Sequence, residues 1–165
     1  MPYVPMRWIW IDRFVEFESG VRAVALKNVS LAEEHLHDHF PGYPTMPGSL
    51  MLEGMAQTGG ILLGQKHDFE QIVVLAKVPK VSYERLIGPG ETIRYEATVA
   101  DDRPEGGTTA VTATVDGETV AEAEIMFAYL DKSDPAYGGV DQKNFVFESA
   151  LMGAFEAGRG GSVAL

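Results

Sequence analysis

His39-Phe-Pro-Gly-Tyr-Pro-Thr-Met-Pro-Gly48-Ser-Leu-Met-Leu-Glu53-Gly-Met-Ala-Gln57 is the stretch that decides how this chain folds. It starts extended, turns through three prolines and two glycines, and enters an apolar run that carries one carboxylate. Pro47 stands at or near the first position of a helix, where its missing N–H leaves no bond unmade. Beyond it Leu50, Met51, Met55, Ile61, Leu62 and Leu63 are large and apolar, while Gly54, Ala56, Gly59, Gly60 and Gly64 are small. A helix that is apolar nearly all round belongs in a core. Glycine costs about 1 kcal/mol relative to alanine inside an exposed helix. The use of these glycines is therefore close approach: a sheet, or a second copy of the helix, packs against bare backbone.

Outward from this helix the hydrophobic period becomes two. Residues 71–81, 91–100, 107–115 and 118–129 read as four strands. Gly88-Pro89-Gly90, the turn from Arg103 to Gly107, and Asp116-Gly117 connect them, the last a favoured two-residue hairpin turn. Hairpins in succession, with no helices between them, imply an antiparallel sheet. Upstream, residues 20–30 alternate with both faces largely apolar and read as a buried strand. Residues 3–20 read as a short turn and a strand ending near Gly20. The polar segment 31–37 is a loop or a single turn. The fold class is α+β, a curled antiparallel sheet wrapped around one central apolar helix. Residues 1–130 form that domain. Residues 131–165 form an extension, with a short amphipathic helix through Phe145, Phe147, Leu151, Met152 and Phe155 and a disordered end from Gly158.

Composition narrows the function classes. With 24 acidic against 13 basic residues the formal net charge is −11, which speaks against a nucleic-acid partner. Lys77, Lys80 and Arg85 nonetheless make a local basic patch. No cysteine is present, so disulfides, thiolate metal sites and a cysteine nucleophile are excluded. Nothing at the N-terminus reads as a secretory signal. No segment approaches the roughly 20 apolar residues of a membrane span. A cytoplasmic location is expected.

Singly, the polar residues of the central stretch have plain readings. A histidine after a loop is usually structural, and a glutamate in an apolar helix caps, pairs or reaches solvent. Together, at this spacing and with Pro-Thr-Met-Pro-Gly between them, His39, the helix start and Glu53 read as an active site. Met46, Met51 and Met55 read as tunnel wall or core. His35-Leu-His37-Asp-His39 superficially resembles a metallo-β-lactamase-type ligand signature but is one residue short, so no metal is expected. His35 and His37 read as surface residues, and Glu33-Glu34 and Asp101-Asp102 as solvated charge.

The central stretch resembles the active-site segment of the 3-hydroxyacyl-[acyl-carrier-protein] dehydratases. Their pattern is His-Phe-x-Gly-x-Pro-x-Met-Pro-Gly, then Leu, an acidic residue, and a Gln four residues after it. Looser likeness runs from about Asp12 to Asp131, through Ile11-Asp12-Arg13, residues 24–29 and residues 117–126. The resemblance implies the hotdog fold and dehydration of (3R)-3-hydroxyacyl thioesters to trans-2-enoyl thioesters, with no cofactor. It makes His39 the base for the C2 proton and Glu53 the acid for the leaving hydroxyl. The Gly48 N–H, at the positive end of the helix, would polarise the thioester carbonyl. Gln57, one turn after Glu53, would hold its carboxyl group, and Phe40, Met46 and Pro47 would line the substrate. In the family the two groups of one site come from two subunits, which implies a homodimer at least and possibly a trimer of dimers. The carrier would be acyl carrier protein or coenzyme A, with Lys77, Lys80 and Arg85 as docking residues and Arg94 a further candidate. Two other functions fit the fold: a hotdog thioesterase and a non-catalytic acyl-binding subunit. The chain departs from the family's usual Pro-His-Arg-x-Pro-Phe opening, since residues 4–11 read VPMRWIWI, and also in its long extension.

Overall fold

In the computed structural model, which describes residues 8–131 and 133, the alternating segments form strands and the apolar run forms one long helix. In chain order these are β1 (Arg13–Glu18), β2 (Arg22–Asn28), a one-turn helix α1 (His35–Asp38), α2 (Gly48–Lys66), β3 (Gln71–Tyr83), β4 (Thr92–Arg103), β5 (Gly106–Val115) and β6 (Glu118–Asp131). Among the described residues they make a six-stranded sheet in the order β1-β2-β4-β5-β6-β3. Every pairing is antiparallel. The order follows from the connections. Tight turns keep β1 beside β2 and lay β4, β5 and β6 side by side. The long α2 crossover carries the chain to the far edge, where β3 pairs with β6. The β5–β6 turn uses Asp116 at φ 51° and Gly117 at φ 85°, the two left-handed positions that a hairpin turn of this length requires.

The sheet curls round α2, which touches β2 through β6. This is the hotdog arrangement. Met51, Met55, Ile61, Leu62 and Leu63 of the helix are 2% exposed or less, and each buried side chain of this size contributes about 1.5–3 kcal/mol. The close approach is made by the sheet. A Cβ at Gly54 would stand 2.7 Å from the Tyr95 ring, and one at Gly59 would collide with the Thr109 hydroxyl. Tyr95 and Thr109, on β4 and β5, are themselves fully buried. The bulk of the sheet fills the space the helix leaves.

Several charged residues lie elsewhere than the sequence suggests. β4 runs on through Asp101-Asp102 to Arg103, and a register shift between Val99 and Asp101 alters the pairing there. Asp101 stays at the surface beside Arg103. Asp102 is not solvated: its side chain is 9% exposed and lies 2.5 Å from Lys66 Nζ. It accepts a hydrogen bond from the Tyr129 hydroxyl at 2.6 Å and lies 3.2 Å from His67 Nε2. Burial alone would raise its pKa, but Lys66, Tyr129 and His67 together hold it below the ordinary aspartate value. Burial, and then Asp102, push the Tyr129 hydroxyl upward. Glu33 likewise is not free charge, since it pairs at 2.7 Å with the buried Lys27. His35 is not a surface residue either. Its ring packs edge-on to Trp10 with centroids 5.2 Å apart, and burial pushes its pKa down. His37 is exposed. Arg7 and the residues before it lie outside the described residues. So do the proposed helix through Phe145 to Phe155 and the segment from Gly158.

Two outcomes follow. Gly54→Ala should lose about 1–3 kcal/mol by overpacking against Tyr95, read as a lower midpoint in urea. Asp102→Asn should lose about 1–3 kcal/mol at neutral pH, the cost of a disrupted buried charge-assisted cluster. Because the folded-state pKa of Asp102 is lowered, its contribution is full above the unfolded value of 3.8 and fades as pH falls through the folded one. Melting temperatures of the two proteins should therefore differ at pH 7 and converge in acid.

Candidate active site

The three prolines and Gly42 forbid a helix between α1 and α2 and fold the chain into a tight hook. Phe40 and Tyr43 exchange backbone bonds across Pro41-Gly42, N–H to O at 3.0 and 2.8 Å, with Gly42 at φ 76°. The Thr45 N–H donates to His39 O at 2.7 Å, and the Met46 N–H donates to Ile87 O at 2.8 Å. These bonds close the hook and tie it to the β3–β4 connection. The His39–Phe40 peptide is cis.

His39 is half-buried, and its Nδ1 stands 2.7 Å from Thr45 O. A carbonyl can only accept, so Nδ1 carries the hydrogen of this bond, and the lone pair of the neutral ring belongs to Nε2. The imidazole also stacks on the exposed Phe40 ring, with centroids 4.1 Å apart. Eight residues after His39, Pro47 caps α2 through its backbone: its carbonyl accepts from the N–H groups of Leu50 and Met51, and no side chain caps this end. As the first helical residue, Gly48 has an N–H with no partner inside the helix. Its carbonyl accepts from the Tyr83 hydroxyl at 2.8 Å, and a Cβ here would stand 3.1 Å from the Tyr83 ring. Glycine lets that ring lie against the helix start.

Glu53, in the second turn, is half-buried. Its Oε1 accepts from Gln57 Nε2 at 3.0 Å. Gln57 is 3% exposed. It also donates from Nε2 to Trp8 O at 2.9 Å and accepts at Oε1 from the Trp10 N–H at 2.9 Å. His39, Phe40, Pro47 and Gly48 thus share one hook-and-helix-start, while Glu53 and Gln57 join the Trp8–Trp10 segment. Among the described residues, no hydrogen bond or ion pair connects His39 to Glu53 of the same chain. Met46 is buried in the core cluster.

Of the basic residues, Lys77 and Lys80 are exposed on β3 and form no ion pair among the described residues. Arg85 is held by Glu91 at 2.7 Å, and Arg94 by Glu16 at 2.7 Å. Reasoning from sequence missed the Thr45 carbonyl, Tyr83, and the backbone of Trp8 and Trp10. Three of these act through main-chain atoms, which leave no mark in residue identity. Tyr83 lies 35 residues from the helix start it touches. Chemically, the chain offers an imidazole held through Nδ1, a helix start without a side-chain cap, and a carboxyl group with one oxygen held.

Comparison with known proteins identifies the family. Residues 4–124 match the family model of the FabA-like domain. The 3-hydroxyacyl-[acyl-carrier-protein] dehydratase FabZ of Thermomicrobium roseum is 42% identical over 131 residues, covering 78% of this chain and 88% of the relative. The enzyme of that name from Geobacillus thermodenitrificans is 38% identical over 132 residues, covering 78% and 91%. A conserved protein of Pseudomonas aeruginosa superposes with a TM-score of 0.60 at 22% identity, over 72% of this chain and 87% of its own. A mutant thioesterase from the same organism gives 0.59 at 17% identity, over 72% and 80%. At such identities the structural likenesses show the fold alone. The family model and the relatives show more: the chain belongs to the FabA-like family and, within it, to the 3-hydroxyacyl-[acyl-carrier-protein] dehydratases.

Proposed function

We propose that this protein removes water from (3R)-3-hydroxyacyl thioesters, carried on acyl carrier protein or coenzyme A, to give trans-2-enoyl thioesters. The observation that carries the reading is the His39 Nδ1 bond to Thr45 O, which leaves Nε2 as the base and steadies the ring when it becomes an imidazolium. Nε2 takes the C2 proton. The Gly48 N–H donates to the thioester oxygen as enolate-like charge grows there, aided by the positive end of the α2 dipole. Glu53 of the partner subunit protonates the departing hydroxyl. Phe40, Met46 and Pro47 line the acyl path, and Gln57 holds the acid.

Sharing the site between two chains fits the separation of its halves. It also fits β3, which ends the sheet with Leu75, Val81 and Tyr83 exposed. A bare strand edge with apolar side chains is an unstable surface for a lone chain, and a second copy would cover it. A homodimer is then the smallest active unit, and dimers can assemble further in threes. Lys77 and Lys80 are the stronger docking residues for an acidic carrier, because Glu91 already balances Arg85. Residues 1–130 form the catalytic domain, with 131–165 appended to it.

A hotdog thioesterase or a non-catalytic acyl-binding subunit would give different products from the same substrate. Incubation with a 3-hydroxyacyl thioester, following enoyl absorbance and free thiol separately, decides among them. Dehydration gives enoyl product without thiol. A thioesterase gives thiol without enoyl product, and a binding subunit gives neither.

His39→Ala should lower dehydration by about 10²–10⁴-fold while circular dichroism and melting stay unchanged. A folded variant with full activity would remove His39 from the mechanism. Mixing inactive His39→Ala with inactive Glu53→Gln tests the shared site. In a mixed dimer one site carries both lesions and the other carries none, so subunit exchange should restore about a quarter of wild-type activity. Sites built within single chains would stay dead. Reversing Lys77 and Lys80 to Glu should weaken turnover of the carrier-bound substrate and spare the coenzyme A thioester; equal rates on both would move docking elsewhere.

A further inference from the structure

We infer that the backbone of Trp8 and Trp10 positions the acid group, by fixing through Gln57 which oxygen of Glu53 carries the proton. The inference rests on the reading of Glu53 as the acid. The Trp10 N–H can only donate and the Trp8 carbonyl can only accept, so together they leave the Gln57 amide one orientation. Its Oε1 faces Trp10 N at 2.9 Å and its Nε2 faces Trp8 O at 2.9 Å. The second Nε2 hydrogen has one place left to go, Glu53 Oε1 at 3.0 Å. All three hydrogen bonds involve an amide that is 3% exposed, so water does not compete for it. The anchor is itself held: Trp10 is 8% exposed, and its ring packs edge-on to Trp8, centroids 5.4 Å apart, and to His35.

The consequence is chemical. An oxygen that already receives an N–H is a poor place for a second hydrogen, so in the carboxylic acid the proton sits on Oε2. When His39 has taken the C2 proton and the C3–O bond breaks, the Oε2 hydrogen moves to the departing oxygen and water leaves. The O–H bonding pair stays on the carboxylate, whose Oε1 keeps its bond to Gln57. The imidazolium and the carboxylate are then returned to their starting forms by one proton lost and one gained. Trp8 and Trp10 are positioning residues that never meet the substrate. Their side chains matter less than their peptide groups.

The test uses two substrates of one chain length, a 3-hydroxyacyl and a 3-fluoroacyl thioester. Hydroxide needs a proton in order to leave and fluoride needs far less help, so a misplaced acid proton harms only the first reaction. Gln57→Met keeps the length of the side chain and deletes all three bonds. It should lower kcat on the 3-hydroxy substrate about 10–100-fold, the scale of a misplaced reacting group. KM should hold within about twofold, and the loss on the 3-fluoro substrate should be at least about tenfold smaller. Gln57→Glu, which cannot make both donated bonds, and Trp10→Pro, which deletes the N–H, should show the same selectivity. Whichever of the three variants folds gives the answer. Equal losses on both substrates would make the contact merely structural, and no loss would make it idle; either result overturns the inference. Glu53→Gln serves as the control. If it shows the selective loss while the Gln57 variants do not, the acid stands and its positioning fails. If Glu53→Gln keeps full 3-hydroxy activity, the acid reading itself falls.

Discussion

A nineteen-residue helix enclosed by a curled sheet cannot be placed loosely, and the site inherits its geometry from that constraint. Gly54 and Gly59 let Tyr95 and Thr109 come up against the α2 backbone, which sets both the depth of the helix and its rotation. Glu53 precedes one of these contacts directly, and Gly48 lies six residues before it. Once Tyr95 has fixed the helix at Gly54, the carboxyl group and the free N–H of the first turn have fixed places relative to the sheet. The cost of glycine in a helix, about 1 kcal/mol each in an exposed one, is offset by the apolar area that the close approach buries.

Polar groups on such a helix face the opposite problem, because a buried amide or carboxyl without partners costs on the order of 1–3 kcal/mol. The chain meets it with backbone from elsewhere. Trp8 and Trp10 satisfy Gln57, and Thr45 supplies the carbonyl that orients His39. The same logic operates at the other end of the helix. There Lys66, His67 and Tyr129 surround Asp102 and join the end of α2 to two strands.

The helix and the downstream strands were legible because burial writes itself into sequence as period and composition. An apolar run with glycines can only be a core helix, and strict alternation into Asp116-Gly117 can only be a hairpin. Asp101-Asp102-Arg103 defeated that logic. Two acidic residues after the alternating run look like solvated charge ahead of a turn at Arg103, yet the register shift after Val99 lets the strand continue with Asp102 buried against Lys66. Glu33 was misleading in the same way, since the buried Lys27 with which it pairs lies back in β2. At the candidate site, the contact between Glu53 and Gln57 could be expected from their four-residue spacing, and His39 stood out by its motif. The atoms that orient them could not, since a backbone carbonyl looks the same in every residue.

That last point bears on the chain's unusual opening. Residues 8–11 read Trp-Ile-Trp-Ile where the resembling family carries a different, proline-containing pattern, and side-chain comparison would count this as loss of a family feature. The contacts made to Gln57 are a carbonyl and an N–H, however, and almost any residue supplies both. The exception is proline, which has no N–H to give. Side chains in this segment can therefore vary widely while the anchor persists, provided that position 10 keeps its donor and something bulky holds the peptide still. Trp10 does both, buried between Trp8 and His35. A segment that diverges in its side chains can in this way preserve the same physical task, and it is the hydrogen-bonding demand of one buried glutamine that sets the limit on how far it can change.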